Sequence, residues 1–506
     1  MSDQTATHVA RNTLVMLAQQ FATGLSSLLL MMFLPRYLGP EDFGRLSLAL
    51  SITSMFGAFV GFGGFQQVAK MVSRSHDTAP VTMMNAIGFR LVFSVISIIA
   101  MVVFSYTVRY PNSTKILLFI CGAGLIWQGV YTVLYGCFQG FEMLHYTSIG
   151  AVVERLFVSI VCIAALLLGA SSIVIAMIFT ISTLLNVLVL VKYSRRIIRY
   201  IPAIDWKASF VQVREAVPYF LFTLFGIIYY RIDTVMLSLM TSERVVGWYS
   251  ASYKLFDYLN LLPIVFTISV FPVLSRLWQQ EREGHSRVIQ KSLQFIGLAA
   301  IPTTIAIYVF AEHIIQFLYG LGGYSQSIIV LKYLSLGLPF LFIDMILGTT
   351  LLASDRQRPL SVISFCASPT NIILNYFLIP YWQGISGNGG TGAAIATVIT
   401  EACVMFAALS IMPKGVFDGF NISVWLKMAA AGLIMFAAGL GLEHLGVPWI
   451  VGLGVSVAAF LGFCFSVKTF DSYEIQFAKS FLSIDGMKKT FLSGNRAPKM
   501  SENEGI

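Results

Sequence analysis

Four basic side chains lie deep inside long apolar stretches of the sequence, where a charge is costly. They are Arg90, Arg155, Arg231 and Lys254. Each costs about 2.5–3.5 kcal/mol at the centre of a membrane helix, so each is expected to face water or a partner rather than lipid. A planar guanidinium can donate two parallel hydrogen bonds to a phosphate. We therefore predict a cationic cavity that binds an anion. Three other bases lie near the ends of the stretches and can extend to the membrane surface: Arg214, Lys332 and Lys427.

Ion pairs between helices are the alternative for these bases, with Glu154, Asp257 or Asp344 as partners. Lys254 and Asp257 are three residues apart and share a helix face, so they can neutralise each other. Arg231 and Asp233 are two apart, about 200° around a helix, and cannot pair with each other.

A second group of polar residues is acidic and rich in amides. Asn371 and Asn375 are four residues apart, as are Thr397 and Glu401, so each pair shares a helix face. Asp233 lies at a comparable depth in an earlier stretch. Hard oxygen ligands of this kind suit Na⁺, and a titrating carboxylate suits H⁺. The group is a candidate site for a coupling cation; polar hydrogen bonding between helices is the alternative.

The elements that carry these residues are membrane helices. Of 506 residues, 57% are hydrophobic and 11% charged, against about a quarter charged in soluble domains. This excludes a cytosolic enzyme, and the net charge of +9 suits basic cytoplasmic loops better than nucleic-acid binding. We predict an all-α polytopic membrane protein with about fourteen spans of roughly 20 residues. They centre near residues 24, 56, 94, 126, 158, 182, 226, 261, 304, 340, 370, 402, 433 and 458.

Lysine and arginine in the connections predict the orientation. With both termini in the cytoplasm, 21 of them fall inside and five outside. The outer connections are short and leave no room for an enzyme domain. The sequence also has no phosphate-binding loop, no nucleophile elbow and no H-E-x-x-H motif. We therefore predict a protein that is not an enzyme, has no cofactor other than a coupling Na⁺ or H⁺, and is energised by an ion or substrate gradient.

A short internal repeat divides the chain. Gly44-Arg45-Leu46-Ser47 corresponds to Gly247-Trp248-Tyr249-Ser250, and Arg74 and Arg276 follow at similar distances. The offset of six spans predicts two six-helix lobes related by a pseudo-two-fold axis along the membrane normal, with a cavity between them. The predicted units are residues 1–200, with a basic linker to about 211, then 212–412, two extra spans in 413–468, and an amphipathic and disordered tail in 469–506.

Several segments resemble the Wzx-type polysaccharide flippase family, which belongs to the superfamily of MATE multidrug exporters and lipid II flippases. They are Asn371-Ile-Ile-Leu-Asn375-Tyr-Phe-Leu-Ile-Pro380, Gly392-Ala-Ala-Ile-Ala-Thr397-Val-Ile-Thr-Glu401, Arg36-Tyr-Leu-Gly-Pro40-Glu-Asp-Phe-Gly44, Asp233-Thr-Val-Met-Leu and Leu352-Ala-Ser-Asp-Arg-Gln-Arg358. The segment Trp382–Thr391 is longer than the usual tight turn. Some superfamily relatives place a coupling-cation site on these spans, and Asn375 stands where a second carboxylate can occur.

The resemblance implies alternating access and translocation of undecaprenyl-pyrophosphate-linked sugars to the outer leaflet of the bacterial cytoplasmic membrane. The cationic cavity would then bind pyrophosphate, with Tyr230 and Tyr253 stacking on sugar rings; an interfacial aromatic belt is the alternative. Expected partners are the lipid-linked oligosaccharide, membrane lipids, a polysaccharide polymerase and a chain-length regulator, with no nucleic acid and a monomeric functional unit. The competing functions are a multidrug antiporter, which requires an acidic cavity, and a membrane polymerase or ligase, which requires a large outer loop.

Overall fold

The computed structural model describes residues 3–62, 64–197, 206–418 and 420–469. This part of the chain is helical, without strands, so the predicted all-α class is confirmed. The helices are α1 (Asp3–Val60), α2 (Gly64–Arg74), α3 (Ala79–Thr107), α4 (Asn112–Gly140), α5 (Leu144–Leu167), α6 (Ser172–Ser194), α7 (Trp206–Met240), α8 (Glu243–Leu259), α9 (Leu261–Gln280), α10 (Arg282–Val309), α11 (Ala311–Tyr319), α12 (Leu321–Ser335), α13 (Leu338–Ala353), α14 (Gln357–Ser386), α15 (Gly389–Ser410), α16 (Ile422–His444) and α17 (Trp449–Ser466).

Three predictions fall on parts of the chain that the structure does not describe. The tail after residue 469, residues 198–205 of the basic linker and the side chain of Arg214 lie outside the described residues.

Twelve helical segments of the described chain are long and apolar enough to cross a membrane, or thirteen if α12 and α13, bent by 42°, are counted as one span. Every predicted span centre falls on a helix. With the bent pair counted as one span, the described chain has thirteen spans. The prediction of about fourteen is one higher because residues Ala22–Arg74 count as one segment, although the chain reverses direction inside it.

The reversal occurs at Gly39 in α1. This residue has φ 72° and ψ 169°, a conformation that favours glycine, and Pro40 follows without an amide hydrogen to continue the helix. A straight helix of 58 residues would be about 87 Å long, far more than the roughly 30 Å of a bilayer core. The sequence Gly39-Pro40 therefore divides α1 into two legs.

Contacts along α8 and α4 show that both legs run away from the Gly39 turn in the same direction. Near the turn, Glu243 at the start of α8 binds Arg45 and also accepts a hydrogen bond from Thr114 at the start of α4. At the far end of α8, Tyr258 donates to the carbonyl of Gly24 in the first leg, 3.0 Å away. The side chain of Gln128, deeper in α4, packs beside Gly57 in the second leg. We call the side that holds Gly39, Thr114 and Glu243 the Gly39 end; the charge distribution predicts that it faces outward.

The two glycines of the internal repeat form a symmetric crossing between α1 and α8. A Cβ added to Gly44 would lie 1.9 Å from the carbonyl oxygen of Glu243, and one added to Gly247 would lie 1.8 Å from that of Pro40. Gly44 thus packs on Glu243, four residues before Gly247, and Gly247 packs on Pro40, four residues before Gly44. Such reciprocal contact is what a two-fold relation requires, so this crossing lies on the pseudo-two-fold axis between the two halves.

The surrounding helices follow the same symmetry. In the first half, α5 packs on α1 and α6; in the second half, α14 packs on α7 and α15. The two last helices pack on each other and along α10, and His313 of α11 lies 3.8 Å from Glu443 of α16. They form an attachment to the second half, as the sequence predicts.

Candidate functional site

The predicted acidic and amide-rich group assembles around Asp233 of α7. Its Oδ1 accepts a hydrogen bond from Asn375 Nδ2 at 2.7 Å, and its Oδ2 accepts from Thr397 at 2.9 Å and from the Tyr249 hydroxyl at 2.7 Å. Asn375 Nδ2 also donates to Asn371 Oδ1 at 2.9 Å. We call these five residues the Asp233 site. All of them are buried.

Close packing of α14 on α15 positions two sides of the Asp233 site. A Cβ on Gly392 would lie 2.2 Å from the carbonyl oxygen of Leu378, so only glycine lets the two backbones approach this closely. The four-residue spacing of Asn371 and Asn375 then turns both amides toward Asp233. The segment Trp382–Thr391, which is longer than a tight turn, instead extends α14 to Ser386 and begins α15 at Gly389.

Glu401 lies outside the Asp233 hydrogen-bond network. It is one helical turn beyond Thr397, and its Oε1 accepts a hydrogen bond of 2.6 Å from Tyr229 of α7. The structure therefore divides the predicted cation group into the Asp233 site and a neighbouring Glu401–Tyr229 pair. Conversely, Tyr249 belongs to the Asp233 site although its sequence position indicates only an aromatic cluster.

The Asp233 site offers oxygen atoms that could hold a cation. Three donors point at the carboxylate of Asp233, which as an ionised group can only accept. The Oδ1 atom of Asn375 is buried without a hydrogen-bond partner. A carboxylate, two amide oxygens and two hydroxyls are hard ligands that fit Na⁺, and the carboxylate alone could take up H⁺.

The four predicted cavity bases do not form one cluster. Arg90 is 3% exposed, and its Nη2 donates to the carbonyl of Gly64 at 2.8 Å and to that of Phe62 at 3.5 Å. These carbonyls flank the break between α1 and α2. The guanidinium of Arg90 is thus bound inside the first half of the protein, whereas Arg155 is exposed.

The second-half bases Arg231 and Lys254 do lie together. Both interact electrostatically with Asp257, and Lys254 Nζ sits 5.0 Å from the ring centre of Phe43 in α1. Among the described side chains, neither base has an acidic partner within 4.0 Å, so the Lys254–Asp257 ion pair, the alternative to a cavity role, is not formed in this structure. Glu154, another acid considered as an ion-pair partner, instead contacts the uncharged side chains of Asn186 and Thr183.

The aromatic residues predicted for sugar binding border this region. Tyr253 is buried and stacks on Tyr249, with ring centres 5.4 Å apart. Tyr230 is 47% exposed and has Asp257, Asp344 and Glu401 as electrostatic neighbours. The second half thus presents both acids and bases beside exposed aromatic surface.

A further set of contacts joins the two halves at the Gly39 end. Arg45 in the second leg of α1 binds Glu41, Asp42 and Glu243. Tyr324 of α12 donates to the carbonyl of Pro35 in α1 at 2.9 Å. Within the second half, Trp248 donates to the carbonyl of Gly323 at 2.7 Å. The halves are closed against each other at this end.

These features define a multi-pass membrane transporter fold of two halves with a buried polar site in the second half. Family comparison agrees. The model for polysaccharide biosynthesis proteins matches residues 9–278, and the MatE model matches residues 218–377. The first match spans more than half of the chain, so the protein belongs to the polysaccharide biosynthesis protein family.

Individual relatives carry several different names. The chain is 20% identical to the capsular polysaccharide biosynthesis protein CapF of Staphylococcus aureus over 78% of its own length and 96% of the relative's. It is 29% identical to the probable flippase AglR of Haloferax volcanii over 37% of its length, which spans only 38% of that relative. A probable multidrug resistance protein NorM of Bacillus licheniformis is 24% identical over 40% of the chain and 47% of its own length.

Solved structures share the fold. The lipid II flippase MurJ in an inward closed conformation superposes with a TM-score of 0.68 over 89% of this chain and 97% of its own, at 18% identity. An inward-facing multidrug resistance MATE family transporter of the MOP superfamily gives 0.59 over 80% and 96%, at 13% identity. At these identities the likeness establishes the two-lobed fold and no more.

Proposed function

We propose that this protein is a flippase that moves undecaprenyl-pyrophosphate-linked oligosaccharides from the cytoplasmic to the outer leaflet of a bacterial cytoplasmic membrane. The product would enter cell-surface polysaccharide synthesis, where a polymerase and a chain-length regulator act. Support comes from the family membership and from a flippase and a capsule biosynthesis protein among the relatives. The proposed protein is a transporter, not an enzyme, and works as a monomer.

Alternating access is the proposed mechanism, coupled to Na⁺ or H⁺ at the Asp233 site. The observation that carries the coupling is the buried carboxylate of Asp233, held by side chains of α8, α14 and α15 without a basic partner among its hydrogen bonds. Binding or release of a cation would change the attraction between these helices. A shift in helix packing at the Asp233 site then biases the two states of the transporter.

The proposed headgroup contacts are Arg231 and Lys254. They are electrostatic neighbours of each other, Arg231 directly follows the exposed Tyr230, and neither base has an acidic partner within 4.0 Å in the described chain. A pyrophosphate would supply the missing anion. Arg155, which is exposed, could contribute from the first half. Arg90 would act indirectly, by holding the break between α1 and α2.

The test of coupling is flipping of a fluorescent undecaprenyl-pyrophosphate sugar in vesicles that contain the purified protein. We expect Na⁺ or a pH gradient to accelerate flipping by the unsubstituted protein, and Asp233→Asn to remove that dependence. Asp355→Asn is the matched control, because Asp355 has φ 59° at an exposed turn and asparagine tolerates this conformation well. Gradient-dependent flipping by Asp233→Asn would refute the coupling role.

The same vesicles test headgroup binding. Arg231→Ala should reduce flipping at limiting probe concentration, with normal protein levels. Unchanged flipping by Arg231→Ala would refute the pyrophosphate contact.

A multidrug antiporter is the second candidate, favoured by the acids Asp257, Asp344 and Glu401 around Tyr230 and by the MatE match. An antiporter would protect cells against cationic drugs and leave lipid-linked sugars where they are. A deletion strain of the flippase would instead accumulate inward-facing lipid-linked repeat units and keep its drug tolerance.

A further inference from the structure

A half-buried carboxylate lies in the first half of the protein, on α5. Glu154 Oε2 accepts a hydrogen bond of 2.7 Å from Asn186 Nδ2, and its Oε1 lies 3.5 Å from the Thr183 hydroxyl. Both partners belong to α6. The Oδ1 atom of Asn186 is buried and has no hydrogen-bond partner.

The position of Glu154 makes a permanent charge costly. It lies ten residues from the start of α5, about 15 Å along the helix and so near the middle of a bilayer core of about 30 Å. Its charged or titratable neighbours in the described chain are Arg155 on α5 and Tyr131 on α4. Arg155 is the adjacent residue, points away around the helix, and forms no ion pair with Glu154 within 4.0 Å.

The packing of α5 on α6 is built to place the Asn186 amide beside Glu154. Gly150 precedes Glu154 by one helical turn, and a Cβ there would lie 2.3 Å from Asn186 Oδ1. Any larger residue at 150 would displace the amide. The glycine therefore leaves room for the Asn186 amide, whose Nδ2 contacts the carboxyl and whose Oδ1 lies beside Gly150.

The pseudo-two-fold relation gives the helices of this pair a counterpart, although the two carboxylates lie on helices that do not correspond, α5 and α7. Helices α5 and α6 correspond to α14 and α15, which carry Asn375 and Thr397 of the Asp233 site. Each half thus holds a carboxylate in contact with an asparagine and a threonine; Glu154 is half-buried and Asp233 is buried. The hydrogen bonding differs, because Asp233 accepts three bonds between 2.7 and 2.9 Å and Glu154 accepts one short bond.

The unpaired Oδ1 atom of Asn186 indicates that a hydrogen-bond donor is missing beside Glu154. An ionised carboxylate has no hydrogen to give, so it leaves Asn186 Oδ1 unsatisfied. A protonated carboxyl can donate its O–H to the amide oxygen and accept the amide N–H on its other oxygen, which satisfies both groups. No other donor in the described residues reaches Asn186 Oδ1.

We propose that Glu154, with Asn186 and Thr183, is a proton-binding site in the first half of the protein, separate from the Asp233 site. The proton forms the O–H bond of the Glu154 carboxyl and leaves as H⁺ when the carboxylate re-ionises, without any redox partner. The role of this proton in transport rests on the proposed function, whereas its binding does not.

Infrared titration of the purified full-length protein tests proton binding directly. A protonated carboxyl has a carbonyl stretching band distinct from those of carboxylate and amide, and we expect Glu154→Gln to remove one such band between about pH 4 and pH 9. Asp233→Asn should retain it. Asn186→Leu, of similar volume, should shift the band because the hydrogen bond is lost. A band pattern identical in unsubstituted protein and Glu154→Gln throughout this range would overturn the proposal.

Flipping by the same variants separates this site from the proposed function. Glu154→Gln should lose the response to a pH gradient and keep basal flipping of the undecaprenyl-pyrophosphate sugar probe. A full pH-gradient response in Glu154→Gln would overturn the transport role of the proton. Absence of flipping in the unsubstituted protein would contradict the proposed function instead, while the infrared result would still stand.

Discussion

The contact of Glu243 with Arg45 should hold the Gly39 end closed. Arg45 Nε and the Thr114 hydroxyl both lie 2.5 Å from Glu243, so this carboxylate joins α8 to α1 and α4. Glu243→Gln keeps the shape and removes the charge. We expect the substitution to favour opening at this end.

The magnitude follows from the partial burial of the pair. Hydrogen bonds to charged groups contribute about 1.5–3 kcal/mol when buried, and exposed ion pairs contribute about 0–1 kcal/mol. The side chains of Arg45 and Glu243 are 22% and 18% exposed, so a value near 1.4 kcal/mol is reasonable for this pair. That corresponds to a roughly tenfold larger open population, if the closed state predominates.

Cysteine labelling measures this population. Leu34, five residues before the Gly39 turn, is buried, and Leu34→Cys would react with a water-soluble maleimide only when the end opens. Cys366 and Cys403 are exposed and should first be replaced by serine. Glu312→Gln, at an exposed acid near the same face, is the control. A labelling rate that Glu243→Gln leaves unchanged, or that the control raises equally, would refute the closing role of this contact.

Two further substitutions test packing. Gly247→Ala should destabilise the protein by more than about 3 kcal/mol, because the added methyl would meet the Pro40 carbonyl at 1.8 Å. The control Gly226→Ala, where no atom lies within 4 Å of the added methyl, should leave the melting temperature in detergent nearly unchanged. Equal melting temperatures of the two variants would contradict the close crossing of α1 and α8. Arg90→Met should lower the free energy of unfolding by about 1.5–3 kcal/mol, because the hydrogen bond to the Gly64 carbonyl is lost. Its melting temperature should therefore be lower than that of Arg358→Met, a control at an exposed arginine. Equal melting temperatures would mean that the bond does not stabilise the break between α1 and α2.

Local periodicity predicts the parts of the site that lie on one helix. The four-residue spacing of Asn371 and Asn375 is enough to place both amides on one face, and the structure brings them to Asp233. The same spacing does not reveal the partner of Glu401, whose carboxyl, one turn along α15, accepts a hydrogen bond from Tyr229. A shared helix face therefore does not imply that both residues of a pair bind the same carboxylate.

Contacts between distant segments are less accessible to sequence reasoning. The position of Arg90 deep in an apolar stretch suggests a base that faces a cavity. Its actual partners, the carbonyls of Phe62 and Gly64, are available only because α1 ends and α2 begins there. The break itself has a sequence signal, Gly61-Phe62-Gly63-Gly64. Its nearness to Arg90, 26 residues further on, depends on how α3 packs against the first two helices.

The last two spans, α16 and α17, are fastened chiefly along α10, away from the crossing of Gly44 and Gly247. Because these two helices contact the rest of the protein on one side only, changing them should not shift the helices that cross near Gly44 and Gly247. Changes at the outer border of α16 and α17 should therefore alter how the protein meets the surrounding lipid while leaving the central crossing intact.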